Sequence, residues 1–498
     1  MTPQLQFDQL HIISDLHFGG QPGFQIFGSQ AEMLWFINDL ASRPAEHQIG
    51  LVINGDFIDF LAEHPQRHFD PEFALAKLKR IALDDPTFAP IFAALRDFLR
   101  APGRSLLLNL GNHDLELALP WVQTYLISLL SNDDPVLRAR LHVVFDGSGM
   151  LTSVGGKAVL CVHGNEVDAF NPADFETIRQ IGRDVQFGKP AKDWIPNAGS
   201  VMVIDIMNKI KETYPFVDLL KPEIKAVIPI LLACDPSQLS KMDNVFGLAG
   251  FGNQLLRTTV IRAGMLGEEM PPGVVPSPPP SNFGLTTAML AAQFQSPPAA
   301  ATSDAETMMR MAEQQIQAQS RPQDLLPGEL ADANLGAVQA FFEWLRGRQT
   351  VDVLREALEM LDKDACFDPF VSDPTFTDLD EKIGAGIDFL VAGHTHLERA
   401  KVRNNGGGAY FNSGTWARLI KVEPAVRNDP VQFKQLFNIL KNGNMTTLDA
   451  TPGLIQKRCS IVAIEKSAGG VFGELRHVVA RGAGFDYETV AGSRLPRS

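Results

Sequence analysis

Short apolar runs separated by helix-length amphipathic stretches organise the first third of the chain. Leu10–Ser14, Leu51–Asn54 and Ser105–Leu110 have the length of buried strands, and they end on Asp15, Gly55-Asp56 and Gly111. Between the first two, Ser29-Gln-Ala-Glu32 has the spacing of a capping box, and Met33, Leu34, Ile37 and Leu40 follow at helical intervals. Phe92–Arg100 reads as a helix stopped before Pro102-Gly103, while His142–Phe145 and Ala158–Val162 read as strands. Strands alternating with helices predict an α/β layer architecture.

From about Phe170 to Gly386 the strand pattern fades and helical spacing takes over, most clearly over Val201–Lys211, Ile224–Ala233 and Ala337–Leu345. A proline-rich stretch, residues 271–301, interrupts it and predicts a flexible or extended loop. Strand patterns return at Ile387–Val391, Ala409–Asn412, Ser460–Glu465 and Gly473–Val479. The simplest organisation is one α/β core, residues 1–169 and 386–498, interrupted by a mainly helical insertion over 170–385. At 498 residues the chain is too long for one compact core, which agrees.

The formal net charge of −14 disfavours non-specific binding to nucleic acid or anionic membranes. Cys161, Cys234, Cys366 and Cys459 have no CxxC spacing, so neither a disulfide framework nor a thiolate zinc site is expected. No signal peptide is expected from the first residues, and the longest apolar run, Ala226–Cys234, is too short to cross a bilayer. The expected location is the cytoplasm, and no oligomeric state is indicated.

The candidate chemistry sits just after predicted strands: Asp15-Leu-His17, Gly55-Asp56-Phe-Ile-Asp59, Gly111-Asn112-His113-Asp114, His163-Gly164 and Gly393-His394-Thr-His396. Loops at the carboxyl ends of strands converge in open α/β sheets. Taken alone, Asp56 is an ordinary turn or N-cap residue, His163 a core histidine and Asn112 a turn former. Five of the eleven histidines lie in these motifs, which chance scatter does not produce. Carboxylate, imidazole and amide donors without thiolate suit manganese, iron or zinc. Residues two apart in extended backbone face one side, so the pairs Asp15/His17 and His394/His396 are each expected to point together.

This ordered set, DxH…GDxxD…GNHD…H…GHxH, resembles the calcineurin-like metallophosphoesterase superfamily over residues 8–169 and 386–485. The resemblance implies a four-layer α/β fold in which two mixed β-sheets pack together between helices. It implies two divalent or trivalent metal ions, manganese foremost, with iron or zinc compatible. Asp15, His17, Asp56 and His396 would hold the first and Asp56, Asn112, His163 and His394 the second. It also implies hydrolysis of a phosphomonoester or phosphodiester by a metal-bridging hydroxide, with His113 catalytic and Asp114 orienting it. Asp59 is expected only to support, and Asn412–Trp416 to close the site.

The insertion is expected to set substrate choice among phosphorylated small molecules. Arg418 and Arg183 are candidates for gripping a substrate phosphate. Arg179, Arg183, Lys189 and Lys192 read more simply as solvated helix charges. Phe341, Phe342, Trp344 and Leu345 read as core of the insertion. Asp15-Leu-His-Phe-Gly19 is similar to the opening of UDP-diacylglucosamine pyrophosphohydrolases, which carry arginine at the position of His113. Cleavage of a nucleotide-linked lipid is therefore the alternative enzyme reading, and a metal-free phosphatase-fold scaffold is the non-enzymatic one.

Overall fold

The computed structural model describes residues 5–168, 171–221 and 367–496, with 351, 352, 354, 355 and 358 between them. Ile224–Ala233, Ala337–Leu345, the 271–301 stretch, Cys234, Cys366 and the aromatic group Phe341, Phe342, Trp344 with Leu345 lie outside the described residues.

Fifteen strands are described: β1 (Leu5–Phe7), β2 (Gln9–Ile13), β3 (Ile49–Asn54), β4 (Arg104–Asn109), β5 (Leu141–Val144), β6 (Met150–Val154), β7 (Lys157–Cys161), β8 (Phe389–Ala392), β9 (Arg399–Val402), β10 (Ala409–Asn412), β11 (Leu419–Ile420), β12 (Ile455–Gln456), β13 (Ser460–Ser467), β14 (Gly470–Arg481) and β15 (Gly484–Thr489). One sheet has the order β15-β14-β13-β2-β3-β4-β5 and the other β1-β6-β7-β8-β10-β9, while β11 and β12 form a separate pair. In the first, β2 through β5 run parallel and β13, β14 and β15 are antiparallel additions. In the second, β7, β8 and β10 are parallel.

Alternation along the strands decides what each face meets. Val52 and Leu107 turn inward and pack with Val159, Val391 and Phe411 of the other sheet. Their neighbours Leu51, Ile53, Leu106 and Leu108 face outward, onto Met33, Phe36, Ile37, Phe92, Leu95 and Phe98 of the covering helices. Both faces of β3 are therefore buried, which is why it reads as an unbroken apolar run. Across the molecule, Leu390 and Tyr410 meet Phe376 and Leu379 of the helix Pro374–Lys382. The result is four layers, helix–sheet–sheet–helix.

Some local expectations change. The helix Gln30–Ser42 starts after Ser29, but the Ser29 hydroxyl makes no cap bond. Val201–Lys211 is helical but interrupted, with a π-helical turn over Val203–Met207 between Ala198–Met202 and Asn208–Lys211. The helix Phe175–Gln186 buries Ile178 and Ile181 in the main helical layer. Three unexpected helices, Pro424–Asn428, Pro430–Asn442 and Met445–Ala450, lie between β11 and β12. Their Phe433, Leu436 and Leu448 pack with Met207, Ile210 and Phe216, joining that stretch to the C-terminal part of the chain. No helix of the described residues is long and apolar enough to cross a membrane.

Candidate metal centre

The carboxyl ends of β2, β3 and β4 in one sheet and of β7, β8 and β10 in the other deliver every motif to one edge of the sandwich. Two asparagines fasten the sheets together beneath it. Asn109 Nδ2 donates to Asn54 Oδ1 at 2.8 Å and to the Cys161 carbonyl at 2.9 Å, and Asn54 Nδ2 donates to the Val162 carbonyl at 2.7 Å.

Above this brace the backbone is not extended, contrary to the expectation for the two-apart pairs. Asp15, His17, Asp56, His394 and His396 have φ of 53°, 49°, 51°, 70° and 59°. The left-handed region costs roughly 1–2 kcal/mol per non-glycine residue. It persists here because the loops are tied to one another: the amides of Leu16 and His17 both donate to the Asp56 carbonyl at 2.9 Å. The side chains converge through these turns rather than by strand alternation. Glycines make the approach close enough. A Cβ on Gly111 would lie 2.7 Å from His163 Nε2, and Gly55 (φ 89°) has the His163 ring against it.

Two clusters adjoin at Asp56, which belongs to the second and faces His17 of the first. Asp15, His17 and His396 form one and Asp56, His163 and His394 the other, each with candidate ligand atoms within 4.8 Å of one another. Asp56 Oδ2 lies 3.7 Å from His17 Nε2 and 3.3 Å from His163 Nε2, so one oxygen faces both. His396 Nε2 lies 3.4 Å from Asp15 Oδ1 and 3.0 Å from His17 Nε2. His113 joins His17 and Asp56 in a third grouping and is only partly buried.

Four atoms here are buried without a hydrogen-bond partner: Asp15 Oδ1, Asn112 Oδ1, His163 Nε2 and His394 Nδ1. Buried polar atoms are normally satisfied, and an orphan costs about 1–3 kcal/mol. All four are lone-pair donors of residues expected to bind metal, so the residues fit that group. The His163 imidazole is oriented for it, with Nδ1 2.8 Å from the Asn54 carbonyl. Burial opposes charge on His163, but the Asp56 carboxylate outweighs it and raises the pKa to about 10. Burial likewise opposes charge on Asp56, yet His163 holds it well below the usual carboxylate range. A field that lifts a buried imidazole this far also attracts a cation.

The remaining expected residues fall in different places. Asp114 does not orient His113: its Oδ1 accepts from the Gly111 amide at 2.6 Å and its Oδ2 from the Phe57 amide at 2.8 Å, locking two ligand loops together. Burial, then the Asp56 charge, raises its pKa to about 7. The carboxylate beside His113 is Asp59, with Oδ1 3.1 Å from Nδ1. The GDxxD spacing marked Asp59 without revealing that contact. Arg418 is not poised for substrate. It holds Asp449 through Nε and Nη2 at 2.8 Å each, and its Nη1 donates to the Gln25 and Phe27 carbonyls. Arg183 sits on the helix surface against Asp184, and Arg179 pairs with Glu176, as solvated helix charges do. Asn412–Trp416 closes the edge: Asn412 Nδ2 donates to the Gly393 carbonyl, Thr415 Oγ1 to the Asp15 carbonyl and Trp416 Nε1 to the Ser460 carbonyl. Asp168, which no motif marked, has Oδ2 2.6 Å from His394 Nε2.

Residues 9–218 match the family model of calcineurin-like phosphoesterases. Over this span the chain is similar to that superfamily. The matched span takes in Asp15, His17, Asp56, Asn112, His113 and His163, while His394 and His396 lie beyond it and reach the centre through the second sheet. Calcineurin-like phosphoesterases are metal-dependent hydrolases of phosphorylated substrates, and the fold described above is theirs. The search of curated proteins returned no match.

Proposed function

We propose that this phosphoesterase cleaves a phosphomonoester or phosphodiester of a small molecule at a two-cation centre. Asp15, His17, Asp56 and His396 hold the first cation, and Asp56, Asn112, His163 and His394 the second. The observation that carries this reading is the set of four orphaned, buried donor atoms, Asp15 Oδ1 in the first cluster, His163 Nε2 and His394 Nδ1 in the second, and Asn112 Oδ1 on the loop after β4. The thiolate-free donor set favours manganese, with iron or zinc also suited. When bound, such a pair supplies Lewis-acid charge and a nucleophile at neutral pH.

The chain's own groups do the rest. Asp59 accepts from Nδ1 of both His17 and His113, which leaves the opposite nitrogen of each ring facing the centre. A protonated His113 offsets charge developing on the phosphoryl oxygens and gives its proton to the leaving oxygen. Asp56 accepts the His113 amide at 2.9 Å, which fixes the backbone from which that ring projects. The insertion, residues 170–385, governs what reaches the centre. In support, its first helices touch the loop that carries Asp59: Asn208 Nδ2 donates to the Leu61 carbonyl at 2.9 Å, and His68 lies 3.2 Å from Asp205. We place the protein in the cytoplasm, where the free buried thiols of Cys161 and Cys459 stay reduced.

The test is metal content of the purified chain together with manganese-dependent turnover of p-nitrophenyl phosphate and bis-p-nitrophenyl phosphate. The ratio of the two rates sorts monoesterase from diesterase, and a screen of phosphorylated metabolites, nucleotides and lipids then finds the substrate. A well-folded chain that takes up no metal and turns over neither ester would overturn the reading.

A further inference from the structure

The segment that follows His163 carries polar side chains for which the hydrolytic scheme has no use. A turn, with the Val167 amide donating to the Gly164 carbonyl and the Asp168 amide to the Asn165 carbonyl, carries Asp168 across to the loop after β8. There its Oδ2 lies 2.6 Å from His394 Nε2. Asn171 Nδ2 donates to the same oxygen at 2.7 Å, and Asn171 Oδ1 accepts from Asn112 Nδ2 at 3.4 Å. Asn165 Nδ2 holds the Asn171 carbonyl at 3.0 Å. Gly199 presses on the Asn171 side chain so closely that a Cβ there would overlap its oxygen.

This chain of contacts sets which atom of each ligand faces the centre. A carboxylate against Nε2 assigns the His394 proton to that nitrogen and leaves the lone pair on Nδ1, which is buried and orphaned. An acceptor against Nδ2 of Asn112 turns the amide so that Oδ1 points the other way, and that atom is buried and orphaned too. Two ligands from two different sheets are thus aligned by one loop. The other histidine of this cluster, His163, is backed only by the neutral Asn54 carbonyl. Carboxylates behind metal-binding histidines fix the tautomer and raise ligand basicity.

We propose that Asp168 and Asn171 are positioning residues that build the second cation site, selectively and without acting on the first. The inference rests on the two-cation reading above. Its test is manganese titration calorimetry on the metal-stripped full chain, with electron paramagnetic resonance of the loaded protein, for wild type, Asp168→Asn and Asn171→Ser. Asp168→Asn keeps the shape and removes the charge, and Asn171→Ser removes both the acceptor for Asn112 and the amide that donates to Asp168 while keeping the carboxylate's charge. Wild type should bind two ions and give an exchange-coupled signal. Each variant should lose about 10–100-fold in affinity for one ion only, with the signal of an isolated ion at intermediate loading. Asp168→Glu should restore part of the loss. Unchanged binding of two ions by both Asp168→Asn and Asn171→Ser would overturn this inference alone, as would an equal loss at both sites. Binding of fewer than two ions by wild type would remove the two-cation reading and this inference with it.

Discussion

Asp59 Oδ1 lies 3.1 Å from His113 Nδ1. The other oxygen of the same carboxylate lies 3.2 Å from His17 Nδ1, so one buried acid holds a ring of the first cluster and the partly buried ring of His113. Burial opposes its charge, but His113 and His17 hold Asp59 far below the usual carboxylate range, so it stays ionised. Asp59→Ala should therefore lower kcat by about 10–100-fold and weaken metal retention by a similar factor. Steady-state kinetics with metal analysis of the dialysed protein measures both. Wild-type kcat in the variant would leave Asp59 with no part in the site.

His113 and Asp56 should separate chemistry from assembly. His113→Ala removes a proton donor and no member of either ligand set, so kcat should fall about 10²–10⁴-fold while metal content holds. Asp56 Oδ2 faces both His17 and His163, so Asp56→Ala should empty the centre altogether. Elemental analysis of the two purified variants decides the point. Equal metal loss in both would mean that His113 is a ligand and not an acid.

Arg418 should matter for stability and not for substrate. Its guanidinium joins Asp449 to carbonyls at Gln25 and Phe27, and Gly28 leaves it the space to pass. Arg418→Ala strands those carbonyls and should cost about 2–3 kcal/mol, read as a lower urea midpoint. KM should not move. A rise in KM at unchanged stability would return Arg418 to the phosphate-binding role that the sequence suggested.

That reversal shows where the sequence was legible and where it was not. The ligand motifs could be read because each follows a short apolar run, and those of β3 and β8 are buried throughout. The same runs predict α/β layers, and the four-layer arrangement came only with the family resemblance. The direction of a side chain could not be read. Arg418 looks available until its acceptors arrive from 393 positions earlier in the chain. Asp114 follows His113 directly, yet the turn sends its carboxylate back to the Gly111 and Phe57 amides. The pairs spaced two apart suggested extended backbone, whereas packed loop amides impose left-handed turns. Of the helices after β11, Pro424–Asn428 and Met445–Ala450 are too short to show a period, whereas Pro430–Asn442 carries Phe433, Leu436, Phe437 and Leu440 at helical spacing behind its Asp429 cap.

A pH dependence of stability follows from Glu116, which is buried outside the ligand set. Its Oε1 accepts from the Asp70 amide at 3.0 Å, and the Asp70–Lys77 ion pair lies beside it, also buried. Burial raises the Glu116 carboxyl, Lys77 offsets this only in part, and the pKa reaches about 8 from an ordinary 4.5. A folded pKa above the unfolded one means that the folded chain prefers the protonated acid. The associated stability is complete below about pH 4.5 and is lost as the pH climbs through about 8. Between those limits the loss runs at about 1.4 kcal/mol per pH unit. Glu116→Gln keeps the shape and carries no charge, so its stability should lack that slope. The gap between variant and wild type in denaturant unfolding should widen from pH 5 to pH 8 and then level off. A gap that stays constant across this range would show that Glu116 ionises in the folded chain as readily as in the unfolded one.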